Sequence, residues 1–203
     1  MSEKQHVILA SGSYARNNLL KAAGLAFTVI PASIDEAAIR DALTAENEAI
    51  DPADIAEILA RAKGEAVSQD NPDSLIIAAD QTLSLGGQLF SKPANLQEAR
   101  DTLLRLRGQD HLLHTAVAIA ESGEVTWSHV ECARMKMRRF SFGYLDEYLV
   151  RVGIDVCQSV GAYQLEGLGL QLFDELDGDY FSILGLPMLP LMAELRRRGA
   201  IAD

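Results

Sequence analysis

The segment Ser11-Gly12-Ser13-Tyr14-Ala15-Arg16 gathers two hydroxyls, a glycine and a cation just after the apolar run Val7-Ile8-Leu9-Ala10. A helical pattern follows, with Leu19, Leu20 and Ala23 apolar and Gly24 placed as its stop. A strand, a small-residue loop and a helix start together suit an anion. Backbone amides and the Ser11 and Ser13 hydroxyls can converge there, with the positive end of the helix dipole behind them. Arg16 would fall in the first helical turn, where the dipole gives a cation nothing. It makes more sense facing a phosphate. The plainer alternative is that Ser13 caps the helix and Arg16 is solvated. The loop is neither a P-loop nor a dinucleotide fingerprint.

Carboxylates form a second set. Asp80 closes the apolar run Leu75-Ile76-Ile77-Ala78-Ala79, and Asp35-Glu36 follows another candidate strand. A charge at the end of a buried strand is costly unless it meets a partner or emerges into a cleft, and ligands often sit off such ends. Phosphoryl chemistry needs oxygen ligands for a metal and a group to orient water. The alternative for each is a capping role in the following turn or helix. Lys63, within a helical pattern, and Lys92, before Pro93, could neutralise phosphate, although either could be an ordinary solvated lysine. His111 and His114, three apart at a strand start, would lie on opposite faces, which suits no shared metal. No Ser-His-Asp or Cys-His arrangement can be read.

Several elements must position these groups. Phe27–Ile30 reads as a second strand, ended by Pro31. Asp51 and Pro52 open a helix whose apolar face is Ile55, Leu59, Ala62 and Ala66. Gly86-Gly87 predicts a hairpin between Gln81–Leu85 and Gln88–Phe90. Asn95 and Glu98 resemble a capping box for a helix that stops at Gly108. Long strands are expected over Leu112–Ala120 and Glu124–Arg134, a helix over Phe142–Val152, a strand near Leu170–Leu176 and a helix from Met188 to Arg198. Interspersed strands and helices without strict alternation predict a mixed-sheet α/β or α+β domain over residues 1–203.

With 203 residues, 48% hydrophobic and 23% charged, the chain has the composition of a globular enzyme. A net charge of −11 excludes a general duplex-binding surface, which needs a basic face, but not a small phosphorylated ligand held by local cations. Cys132 and Cys157 form no zinc pattern and are expected reduced and at least half-buried. No signal-like start and no bilayer-length apolar run is seen, so a cytoplasmic protein is expected.

In order and spacing, these segments resemble the Maf family of nucleotide pyrophosphatases along nearly the whole chain. The family's Ser-x-Ser-x-x-Arg loop is matched by Ser11, Ser13 and Arg16, and its Ile-Asp-Glu segment by Ile34-Asp35-Glu36. Its Leu-Ala-x-x-Lys helix is matched by Leu59 to Lys63, its strand-end aspartate by Ala79-Asp80, and its Lys-Pro by Lys92-Pro93. Gly108 to His111, Gly161-Ala162-Tyr163, Glu166-Gly167, Gly178-Asp179-Tyr180 and Gly185-Leu186-Pro187 complete the pattern. The resemblance implies an elongated twisted mixed sheet flanked by helices, similar to inosine-triphosphatase-like enzymes, with a cleft between two lobes. It also implies a divalent metal (magnesium or manganese), a nucleotide substrate and a homodimer.

Carried over residue by residue, Ser11, Ser13 and Arg16 look like substrate binders. Lys63 and Lys92 look like catalytic phosphate-binding cations. Glu36 and Asp80 look like metal ligands, with Asp80 also the base for water. Gln81 and Glu166 stand where the family often has threonine and glutamine, and Ser159 falls where a lysine is usual. These departures resemble the branch that prefers 7-methyl-GTP to dTTP and UTP, and add Gln81 and Glu166 to the substrate-binding candidates. Guanine offers a ring N–H and an amino group side by side, and one carboxylate can accept from both. The rival expectations are a dTTP/UTP pyrophosphatase and a nucleotide-binding regulator of cell division.

Overall fold

A computed structural model of the chain describes residues 5–202. Its strands are β1 (His6–Leu9), β2 (Thr28–Val29), β3 (Ser74–Leu85), β4 (Gln88–Phe90), β5 (Asp110–Glu121), β6 (Glu124–Met137) and β7 (Phe173–Asp177). Its helices are α1 (Tyr14–Ala22), α2 (Glu36–Glu46), α3 (Pro52–Asp70), α4 (Leu96–Leu106), α5 (Phe142–Val152), α6 (Tyr180–Ile183) and α7 (Met188–Arg197). The strands form one sheet in the order β2-β1-β3-β5-β6-β7, with β4 paired to β3. β2, β1 and β3 run parallel, and every pairing from β3 outward is antiparallel. The sheet is therefore mixed, as the interspersed pattern predicts.

Local chemistry accounts for the helix ends. Side chains of Ser13, Asp35, Asp51, Asn95 and Ser141 each accept a first-turn amide. The Glu98 carboxylate reaches back to the Ala94 amide and the Asn95 side chain, a variant of the expected box. α5 ends at Gly153, whose φ of 65° lies where a β-carbon is penalised.

The apolar residues gather at two ends of the sheet. One core joins Val7, Leu9, Leu75, Ile77 and Ala79 to Leu20 of α1 and to Leu191 and Leu195 of α7. The other joins Leu83, Leu113 and Met135 to α4, α5 and the 156–172 loop. β3 and β5 run through both. On the opposite face lies α3, whose Ala56 and Ala60 pack on Ala116 and Ala118. Gly64 comes so near the sheet that an added β-carbon would lie 3.3 Å from that of Ala120 and 3.5 Å from that of Ala78. Small residues on both sides bring this helix down onto the sheet.

Five expectations need correction. β3 does not end at Asp80: β5 pairs with it without a break from Ile76 to Ser84, so the ladder carries the charge mid-strand. What ends near Asp80 is the neighbouring β1, whose last partner is Ile77. The buried face of α3 is Ile55, Ala56, Leu59, Ala60, Lys63, Gly64 and Val67, while Ala62 and Ala66 are only partly covered. α2 was not foreseen as an element; none of its residues is fully buried, so no strong apolar stripe marks it. Cys132 is exposed, because β6 alternates and turns Ala133, Met135 and Met137 inward instead. The tail strand starts at Phe173, after a 3-10 turn over Leu168–Leu172.

Candidate active site

Asp80 sits where the two cores meet, between Ala79 of one and Leu83 of the other, on the α3 face of β3. Strand alternation turns it toward α3, and the close seating of α3 brings Lys63 down to meet it. Lys63 Nζ donates to Asp80 Oδ1 at 2.5 Å and pairs with Glu36 Oε1 at 2.9 Å. Lys63 and Asp80 are only 7% and 5% exposed, so this ion pair is nearly dry. Asp80 Oδ2 is buried and has no hydrogen-bond partner. An unpaired carboxylate oxygen in such a place is costly unless a ligand completes it.

Arg16 fills the gap where β1 stops. Its Nη1 donates to the Ala79 carbonyl at 2.8 Å and to Ser11 Oγ at 3.1 Å, and its Nε donates to the Gly185 carbonyl at 2.7 Å. Arg16 thus ties the free flank of β3 to the turn after α6. Nη2 makes no hydrogen bond among the described residues. Ser13 caps α1, accepting from the Arg16 amide, and Ser11 Oγ also accepts from the Ser13 amide. Both serine hydroxyls therefore shape the loop. The remaining first-turn amides of α1 have no helical carbonyl to bond.

The charges converge as a set. Burial lowers the Arg16 pKa, and the nearby carboxylates of Asp80 and Glu36 oppose that fall. Lys92 follows β4 with part of its side chain at the surface, and partial desolvation of its ammonium, with the neighbouring Arg16 and Lys63, lowers its pKa against Glu36 and Asp80. Partial burial pushes Glu36 up, but the hydrogen bond and charge of Lys63, with Lys92 and Arg40 behind, hold it below the usual carboxylate range. Three cations thus face two carboxylates in a chain whose net charge is −11. The cluster is an island of positive charge suited to an anion.

Glu36 and Asp80 are the two carboxylates of the cluster that could offer oxygen to a metal, and no larger group of metal-type side chains gathers among the described residues. One or two carboxylates plus phosphate oxygens and water are what magnesium usually takes. The orphaned Asp80 Oδ2 fits that donor set.

Residues 6–198 match the family described as Maf-like protein. The chain belongs to the Maf-like family. A protein of Mesorhizobium japonicum named 7-methyl-GTP pyrophosphatase is 47% identical over 201 residues, 99% of each chain. One of Rhizobium meliloti with the same name is 48% identical over 198 residues, 98% of each chain. A protein of Paramagnetospirillum magneticum named nucleoside triphosphate pyrophosphatase is 49% identical over 194 residues, 96% of this chain and 99% of that one.

Two candidate residues of this Maf-like chain stand apart from the charged cluster. Gln81, adjacent to Asp80 in a strand, points to the other face. Its amide nitrogen donates to Thr115 Oγ1 at 2.8 Å and to the carbonyls of Ser182 and Ile183. Its visible role is to hold α6 against the sheet, leaving only its carbonyl oxygen for a ligand. Glu166 is exposed in the turn before Leu168–Leu172, and its charge bears on the Tyr148 phenol. His111 and His114 lie on opposite faces as expected, bonded to Tyr163 Oη and Ser84 Oγ. Burial brings His111 down to about 4, which keeps it neutral. The carbonyls of Ala79 and Gly185 escaped the sequence reading, because backbone acceptors carry no residue-type signal. Gly185, with φ at 102°, left a trace in the Gly185-Leu186-Pro187 pattern: a β-carbon there would come within 3.3 Å of Arg16 Nε.

Proposed function

We propose that this chain hydrolyses a nucleoside triphosphate to its monophosphate and pyrophosphate. One observation carries the reading: Asp80 has one oxygen fixed by buried Lys63 and the other unpaired, within a cluster of cations. The relatives' names, which cover almost the full chain, support the same reaction.

In this reading, Arg16 Nη2, Lys92 and the first-turn amides of α1 hold the phosphates. Lys63 fixes the orientation of Asp80, whose free oxygen orients a water and takes its proton. The water oxygen bonds to the α-phosphorus, the bond from that phosphorus to the α,β-bridging oxygen breaks, and pyrophosphate leaves with the electron pair. The surrounding cations neutralise charge as it builds on the leaving group. A magnesium or manganese ion held by Glu36 and Asp80 would polarise the phosphate oxygens and lower the pKa of a bound water. A binding protein that only senses nucleotides has no use for a buried carboxylate with a free oxygen beside those cations, so turnover is favoured over regulation alone.

Within this activity, 7-methyl-GTP is the favoured substrate. Glu166 offers a carboxylate to the two adjacent donors of guanine, whereas a uracil or thymine edge would set carbonyl oxygens against it.

The test is pyrophosphate release across 7-methyl-GTP, GTP, UTP and dTTP with magnesium, for the wild type and Asp80→Asn. The substitution keeps shape and removes the proton acceptor, so turnover is expected to fall at least about a hundredfold. Near-wild-type turnover in Asp80→Asn would overturn the mechanism.

A further inference from the structure

Among the described residues Arg40 pairs with no carboxylate. It follows Glu36 by four residues on α2, so the two side chains stand one above the other on the helix. They belong to the stripe Glu36, Ile39, Arg40, Leu43 and Thr44, which is half-buried, while the remaining positions of α2 are exposed. This stripe is the side that delivers Glu36 to Lys63 at 2.9 Å. At that spacing an arginine can close a pair with its glutamate. Here Lys63 already holds the Glu36 carboxylate, and Arg40 makes no ion pair among the described residues.

The charge around Glu36 gives the reason. Lys63, Lys92 and Arg40 all act on this one half-exposed carboxylate. With Asp80 already paired to Lys63, positive charge exceeds negative around Glu36. Holding unpaired cations close together is unfavourable until an anion joins them. We propose that Arg40 is a further polyphosphate-binding residue, carried on α2 to the phosphates beside Glu36. The inference rests on the triphosphate reading of the site. None of the residues of α2 is fully buried, so a small shift of this helix can bring the guanidinium into contact while α3 and the sheet stay in place.

The experiment reads binding and turnover separately. Inorganic pyrophosphate with magnesium is titrated into the wild type, Arg40→Gln, Arg40→Lys and, as a control on the exposed side of α5, Arg151→Ala. Thermal unfolding of each variant checks that it folds. Arg40→Gln is expected to weaken pyrophosphate binding about tenfold, the weak end of a charged hydrogen bond. Arg40→Lys should recover most of that loss, and Arg151→Ala should match the wild type. In the nucleotide assay, KM for the triphosphate should rise by a similar factor, with kcat changed less than about twofold, because uniform binding is what is lost. The proposal is overturned if Arg40→Gln binds pyrophosphate within about twofold of the wild type, or if it lowers kcat with KM unchanged. It is also overturned if the wild type binds no pyrophosphate. A wild type that binds pyrophosphate but hydrolyses no nucleotide sinks the functional reading alone; the binding series still decides Arg40.

Discussion

Lys63 is the residue on which the local geometry turns. It is nearly buried, yet it meets two carboxylates at once, through Asp80 Oδ1 and Glu36 Oε1. Holding one oxygen of Asp80 leaves the other free and fixes its direction, which is what a water-orienting group needs. Lys92 plays a different part. Its side chain reaches the surface, but its ammonium is partly desolvated, and its pKa is lowered first by that desolvation and then by Arg16 and Lys63. A lysine binds phosphate in its protonated form, which is lost as pH rises through its pKa. A lowered value therefore brings the alkaline fall of kcat/KM to a lower pH than an ordinary lysine would give. Lys92→Arg should move that fall upward, since a guanidinium stays charged throughout the accessible range. A pH profile of kcat/KM for both proteins checks this, and an unmoved alkaline limb would detach Lys92 from substrate binding.

The seating of α3 decides whether that chemistry is assembled at all. Lys63 reaches Asp80 because Ala56, Ala60 and Gly64 allow the helix to lie close on Ala78, Ala116, Ala118 and Ala120. Gly64→Val would force its branched side chain into Ala120 and Ala78 and lift the helix. Overpacking of this kind costs about 1–3 kcal/mol. The expected outcome is a melting temperature lower by roughly 2–10 °C, with kcat/KM lost beyond what the unfolded fraction explains, because Lys63 moves with the helix. Combining it with Ala120→Gly should restore part of both. If Gly64→Val melts earlier but keeps full activity, α3 seating does not set the Lys63–Asp80 geometry. β3 contributes at the same scale by continuing past the end of β1. Its carbonyl at Ala79 is left free on that flank, and Arg16 takes it.

Across the whole molecule, the two cores keep the charged cluster and Glu166 apart. The cluster of Arg16, Lys63, Lys92, Glu36 and Asp80 lies at their seam, while Glu166 belongs to the loop whose Ala162, Tyr163 and Leu165 pack into the core of α4 and α5. That loop is pinned by the 2.8 Å bond between His111 and Tyr163 and by the bond from Tyr148 to the Ala162 carbonyl. Base choice should then separate from phosphate chemistry. Glu166→Gln is expected to reduce the preference for 7-methyl-GTP and GTP over UTP and dTTP by about tenfold, the lower end of the cost of a mismatched polar contact, with little change in the metal requirement. Measuring kcat/KM for the four nucleotides checks it; an unchanged ranking removes Glu166 from base recognition.

The sequence by itself determined which groups are available and most of the elements that carry them. The strand before Ser11, the helix opened by Asp51-Pro52, the hairpin at Gly86-Gly87 and the helix Phe142–Val152 were all legible, because caps, turns and apolar periodicity are local signals. It also supplied Arg16, Glu36, Lys63, Asp80 and Lys92 as candidates, through the ordered match to one family. Only the tertiary structure decided how they meet. Lys63 and Asp80 are 17 residues apart and Arg16 and Gly185 are 169 apart, and the contact in each case depends on helix seating or on where a neighbouring strand stops. Strand alternation separated Gln81 from Asp80, a consequence of β3 running through the charge where the apolar run suggested an end. The half-buried stripe of α2 and the carbonyls that hold Arg16 stayed hidden for the same physical reason: marginal burial and backbone acceptors leave almost no mark on residue type.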